Sequence, residues 1–259
     1  MRFFNKKKVK NYTEEQLDKL YNKSQNLIKQ STKYKDSDIQ KSIDLIHKAI
    51  EIYPYKILNH YFKLANYYHK AEQKEKAYNI YHNLIKDENP ENVFKYQINL
   101  SKIYDKINVL HYRDKKYREY IIYSLLSNYY DILSRVCSNV GEVGFLKDDY
   151  SFLFSISDKS KLGRCLKYIK TEKNEFENLL QKFYKGIKEK LIRMSEISNN
   201  IDYDRKLDEI YYNEDYPETI SDIDTYALKH NSEFMELYNE LNNGYIEKYI
   251  EDKIVPLLV

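Results

Sequence analysis

The sequence predicts an all-α protein: an antiparallel helix-hairpin array followed by a helical C-terminal region. Three observations predict it. Five Gly and four Pro among 259 residues are about 3.5%, where about 12% is usual, too few for the tight turns of a β-sandwich or barrel. Apolar residues recur at three- and four-residue spacing, the period of a helix with one buried face. A pattern of large and small residues returns every 34 to 36 positions in the first half of the chain, as in a helical repeat. The charged fraction of 32% is offset by a hydrophobic content of 42% with 29 Tyr and 10 Phe, which excludes a disordered chain.

The elements follow in order. Lys6, Lys7, Lys8 and Lys10 make a basic arm over residues 1–12. Thr13 with Gln16 is a capping box, and Leu17, Leu20, Tyr21, Leu27 and Ile28 continue it at helical spacing. Ser37 with Gln40 opens a second helix through Ile39, Ile43, Ile46 and Ile50, which stops before Pro54 because proline cannot extend it. Helices are expected over 55–71, 74–86, 92–107 and 115–137, with a hairpin loop near 108–114. Gly141 and Gly144 flank a turn, and residues 150–156 read as a short strand or an irregular connector. A short helix over 160–170 precedes one over 172–197, where Phe176, Leu179, Leu180, Phe183, Ile187, Leu191 and Met194 share a face. An acid-rich stretch, 202–224, is broken at Pro217, and helices near 221–229 and 232–250 close the chain. The domains expected are the arm at 1–12, a repeat domain at 13–138 and a C-terminal region at 139–259, acidic from about 194.

A Leu-small-x-x-Tyr pattern recurs as Leu64-Ala65 with Tyr68 and Leu100-Ser101 with Tyr104, with a weaker copy at Ser31 and Tyr34. Leu126-Ser127 with Tyr130 repeats it off-period. A second track runs Ser42, Ile46, Ala49, Pro54 and then Ala77, Tyr81, Leu84, Pro90. Small residues one turn from large ones let neighbouring helices approach and interlock. Over residues 14–137 the chain resembles the tetratricopeptide repeat, a helix-turn-helix unit with this large–small–aromatic pattern. The resemblance implies an α-solenoid whose first helices line a concave groove that takes a peptide or partner helix. Carried over residue by residue, that groove is Asn59, Phe62, Asn66, His69 and Lys70 from one unit, and Lys95, Ile98, Lys102, Asp105 and Lys106 from the next. Asn66 and Lys95 match two places of the subtype that clamps chaperone C-termini, but Phe62 and Asn99 stand where it needs Lys and Arg, which disfavours a chaperone adaptor.

No chemistry-bearing motif accompanies this pattern. There is no HExxH, no nucleophile elbow, no P-loop and no dinucleotide fingerprint. No cofactor, metal or catalytic residue is therefore assigned. Asp202, Asp204 and Asp208 suggest a calcium loop, but it lacks the turn-making Gly, and Asn213 stands where a bidentate Glu is needed. The Gly141–Gly144 outline of a backbone-clamping Gly-x-x-Gly loop carries Glu142, which would repel a phosphate. Cys137 and Cys165 form no zinc spacing and no disulfide framework. With no apolar leader or membrane span, they point to a soluble cytoplasmic protein.

The expected function is a non-enzymatic protein-interaction module, scaffold or adaptor, in which the groove takes an acidic or partly apolar segment of a partner protein; membership of a larger assembly is compatible with it. The alternative is nucleic-acid binding. Residues 1–193 carry 38 Lys/Arg against 24 Asp/Glu, and residues 194–259 carry 5 against 16. Aromatics interleave with the basic residues, as at Tyr112, Arg113, Lys115, Lys116, Tyr117 and Arg118, and a second run is Lys159, Lys161, Arg164, Lys167 and Lys170. The same charge division predicts that residues 202–224 either fold back onto the basic half or bind a basic partner.

Overall fold

A computed structural model describes residues 12–88, 93–137, 156–157, 159–199, 228–242 and 244–258. Among them all regular structure is helical. Expectations for the basic arm, Pro90, Gly141–Gly144, the strand or connector at 150–156 (except Ile156) and the acid-rich 202–224 lie outside the described residues, as does most of the helix expected near 221–229. Two compact units divide between Asp87 and Glu88, inside the repeat domain expected at 13–138.

The first unit holds α1 (Glu14–Tyr34), α2 (Ile39–Ile52), α3 (Leu58–Lys70) and α4 (Lys74–Lys86), each packed on the next. The Thr13–Gln16 capping box forms in both directions, at 3.3 and 3.0 Å. The second helix is capped one residue later than expected: Asp38, not Ser37, accepts from Lys41 N at 2.9 Å. A carboxylate is the stronger acceptor for those orphan amides. The third helix starts at Leu58 rather than residue 55, with the chain extended at Ile57.

The small positions of the repeat are helix–helix contacts. Ser42 Oγ donates to Ser31 O at 2.8 Å and Ser24 Oγ to Ala49 O at 3.0 Å, both between α1 and α2. In α3 and α4 the places are taken by Ala65 and Ala77, fully buried beside Leu64, Tyr81 and Leu84.

The second unit holds α5 (Val93–Arg113), α6 (Tyr117–Val136), α7 (Lys161–Tyr168), α8 (Lys173–Asn199), α9 (Ser232–Asn242) and α10 (Tyr245–Tyr249). It closes with a π-helical turn, Ile250–Ile254, and a 3₁₀ turn, Val255–Leu257. The long loop expected near 108–114 is instead helix, and the α5–α6 turn is only Asp114–Lys116. The apolar face continues through Ile107 and Leu110, and the polar Asn108 and His111 are buried with it. Asn108 donates to Ser124 Oγ at 2.7 Å, and the His111 ring stacks on Tyr123. Ser127 Oγ donates across the hairpin to Ser101 O at 3.0 Å. The helix expected over 232–250 is broken at Gly244, which takes φ 75, a left-handed conformation that glycine adopts without steric cost.

Tyrosine hydroxyls fasten the C-terminal helices to this unit. Tyr129 donates to Leu241 O, Tyr130 to the Glu247 carboxylate and Tyr249 to Leu179 O, each at 2.7 Å. Tyr238 joins Gln97 and Asn242. On the surface, Arg193 pairs with Glu233 at 2.6 Å and Lys190 with Glu240, so part of the acidic tail is neutralised by α8.

Three turns share one backbone solution. Glu72 (φ 59), Lys115 (φ 57) and Lys170 (φ 56) follow α3, α5 and α7 in the left-handed region. Each is followed by an amide bonded back five residues: Gln73 N to Tyr68 O, Lys116 N to His111 O and Thr171 N to Leu166 O, at 2.9, 2.9 and 3.0 Å. This is the Schellman closure, which usually takes glycine.

Candidate functional site

The groove residues occupy one stripe on each of two helices, one stripe per unit. On α3, Asn59 is exposed and Asn66 and His69 are half-buried. Phe62 is not open to a partner as the groove requires: it is 6% exposed and stacks on Tyr81 at 5.9 Å inside the α3–α4 hairpin. Lys70 is exposed but committed, donating to Lys35 O at 2.8 Å and pairing with Asp36. The hydrogen bond from Lys70 holds the Asp36 carboxyl below its ordinary pKa.

These contacts belong to a set of polar bridges from α3 back to the region of α1. Gln25 meets His60 at 3.3 Å and Lys63 donates to Thr32 at 2.7 Å. Burial, then the nearby Lys35, lowers the Lys63 pKa. His60 is buried, which lowers its pKa, with Lys63 adding to the effect. Its role is packing between helices.

On α5, Lys95, Lys102 and Lys106 are exposed and Ile98 is half-buried, at positions that fall along one side of the helix. Lys106 pairs with the exposed Asp105 at 2.9 Å, an interaction that solvent keeps weak. This stripe offers a mostly positive surface with an apolar centre.

A second surface, in the second unit, joins two runs that are far apart in the sequence. The Tyr117 and Tyr168 rings stack at 4.7 Å with their planes 17° apart. Lys161 Nζ lies 5.4 Å from the centre of the Tyr112 ring, within cation–π range. Helix α7 begins with Ser160 Oγ accepting from Gly163 N at 3.0 Å. Its inner face buries Leu162, Cys165 and Leu166, which leaves Lys161, Arg164, Lys167 and Tyr168 outward. Sequence spacing identifies each run but cannot reveal their meeting.

Burial disfavours the thiolate at both cysteines. Burial raises the Cys137 thiol far above its ordinary value, and Cys165 is pushed up to about 12 against the opposing pull of Arg164 and Lys161. Among the described residues no group of three His, Cys, Asp or Glu is placed to hold a metal ion, and no helix is long and apolar enough to cross a membrane. Comparison with family models, curated proteins and solved structures finds no match to this chain.

Proposed function

We propose that the protein is a non-enzymatic, tetratricopeptide-like binding module of the cytoplasm, taking an acidic, partly apolar segment of a partner protein on the first-helix faces of its hairpins. The observation that carries this is the α5 stripe, where three exposed lysines flank the half-buried Ile98. An extended or helical acidic segment with one apolar anchor complements such a face. In the first unit, by itself, α3 offers the exposed Asn59 and the half-buried Asn66, while Phe62 and Lys70 contribute to packing and to the Asp36 pair. Consecutive packing of α1 to α4 and hydrogen-bonded small positions support the repeat reading. Buried, unpaired thiols at Cys137 and Cys165 suit a reducing compartment.

Selection of peptides from a random display library against the full chain tests the proposal. Enrichment of acidic peptides with an apolar anchor is expected, with binding lost in Lys95→Glu/Lys102→Glu. Peptides whose affinity ignores that double substitution overturn it.

A further inference from the structure

The surface around α7 lies in the second unit, where α7 meets the end of α5 and the start of α6. Residues 113–119 and 161–168 together hold seven Lys or Arg against only Asp114 and Glu119. The α7 contribution is wholly basic and aromatic: Lys161, Arg164, Lys167 and Tyr168 fall within about a third of the helix circumference, at 100° per residue. Tyr168 is 60% exposed, the most open of the large apolar side chains among the described residues. An aromatic ring so exposed has not been placed there by core packing. One of its faces is covered by Tyr117, which orients the ring, and Lys161, Arg164 and Lys167 on the same side of α7 are all exposed.

We infer that this surface binds single-stranded nucleic acid, with Tyr168 stacking on a base while Lys161, Arg164 and Lys167 contact the phosphates on either side. The chemistry selects this occupant. A run of carboxylates or an anionic lipid headgroup would use the charges but has no aromatic face for an exposed tyrosine, whereas a strand presents one at every nucleotide. Every nucleobase has a π-face, and base–aromatic stacking with backbone neutralisation is how strands are held without sequence preference. Duplex offers its phosphates but keeps its bases stacked internally. The tyrosine pair is also pre-arranged, so little side-chain freedom is lost when a base is added.

Fluorescence anisotropy of the full chain with labelled oligouridylate and oligothymidylate of about 20 nucleotides tests the inference. Binding is expected at about 50 mM salt and is expected to weaken at least tenfold by about 200 mM. Tyr168→Ala should weaken it about fivefold to tenfold, and Tyr168→Phe, which keeps the ring, by no more than about twofold. Lys161→Ala/Arg164→Ala/Lys167→Ala should weaken it at least about tenfold, with the helical circular dichroism unchanged because all the altered side chains are exposed. An abasic strand of equal length should bind at least about fivefold more weakly and be indifferent to Tyr168→Ala. Lys95→Glu/Lys102→Glu should leave the oligonucleotide affinity unchanged, which separates this site from the peptide-binding stripe. Absence of binding at low salt overturns the inference, as does equal affinity for the abasic strand. So does preference for polyglutamate or phosphatidylserine vesicles over the oligonucleotides.

Discussion

The Tyr130 hydroxyl donates to the Glu247 carboxylate at 2.7 Å, which joins α6 to α10. The other carboxylate oxygen, Oε2, is buried without a hydrogen-bond partner among the described residues. Tyr130→Phe would leave both oxygens unsatisfied, so it is expected to destabilise the chain by about 1–3 kcal/mol. Replacing both partners, Tyr130→Phe/Glu247→Met, should recover most of the loss, because no polar group is then stranded. Urea unfolding followed by circular dichroism measures both, and a neutral single substitution would show that the bond contributes nothing.

The same region should be sensitive to alkali. Burial first, and then the Glu247 charge, raises the Tyr104, Tyr129 and Tyr130 phenols, and burial raises Tyr238. The folded state holds those protons more tightly than the unfolded chain. Their contribution is fully present below the unfolded tyrosine value of about 10 and is lost as pH rises beyond it. Tyrosinate absorbance near 295 nm should then grow together with loss of helix for these residues. Ionisation of all 29 tyrosines in an intact helical chain would contradict this.

Acid should weaken the first unit. Burial is the main cause that lowers the pKa of His47, His60 and His82, outweighing Glu51 and Asp44 at His47 and reinforced by Lys63 and Lys86 at the other two. The unfolded state therefore takes up protons first. Stability from these residues is complete above about pH 6.5 and falls as pH drops through the depressed folded values. Urea midpoints measured from pH 8 to pH 5 should decline, less steeply in His60→Gln. A flat profile would remove the histidines from the account.

Phe62 separates packing from recognition. Its truncation, Phe62→Ala, is expected to cost about 3–5 kcal/mol through the lost Tyr81 stack and the cavity left behind. Asn59→Ala should stay within about 0.5 kcal/mol. Similar small effects on unfolding at both positions would return Phe62 to the list of exposed contact residues.

Local chemistry was legible in the sequence, and distant encounters were not. Thr13 and Gln16 announce the first cap because both partners of the box lie within four residues. The 74–86 helix is read to its ends, and Ser31, Ser42, Ala65 and Ala77 are recognised as close-approach positions from spacing alone. The end of α5 is not legible in the sequence, because Asn108 and His111 look like loop residues until Ser124 and Tyr123 stand opposite them. Phe62 was assigned to the groove by analogy of position, and only the Tyr81 ring shows which way it faces. Ser37 has the capping-box spacing to Gln40 and Asp38 does not, so spacing points to the serine while the Asp38 carboxylate takes the cap. The Tyr117–Tyr168 stack joins residues 51 apart, a pairing no periodicity encodes.

The left-handed turns have a consequence for how this chain distributes its charge. At φ 57 and φ 56, Lys115 and Lys170 carry side chains where glycine would sit with less strain, a difference of about 1–2 kcal/mol at each site. Both are exposed; Lys115 belongs to the basic run 113–119, and Lys170 lies two residues beyond the end of α7. A glycine there would relax the backbone and remove one positive charge at each turn. The second unit thus holds two lysines at positions that disfavour any side chain, and conformational strain and electrostatic field are adjusted against each other at the same two residues. Evolving a more stable turn at these places would mean giving up a cation.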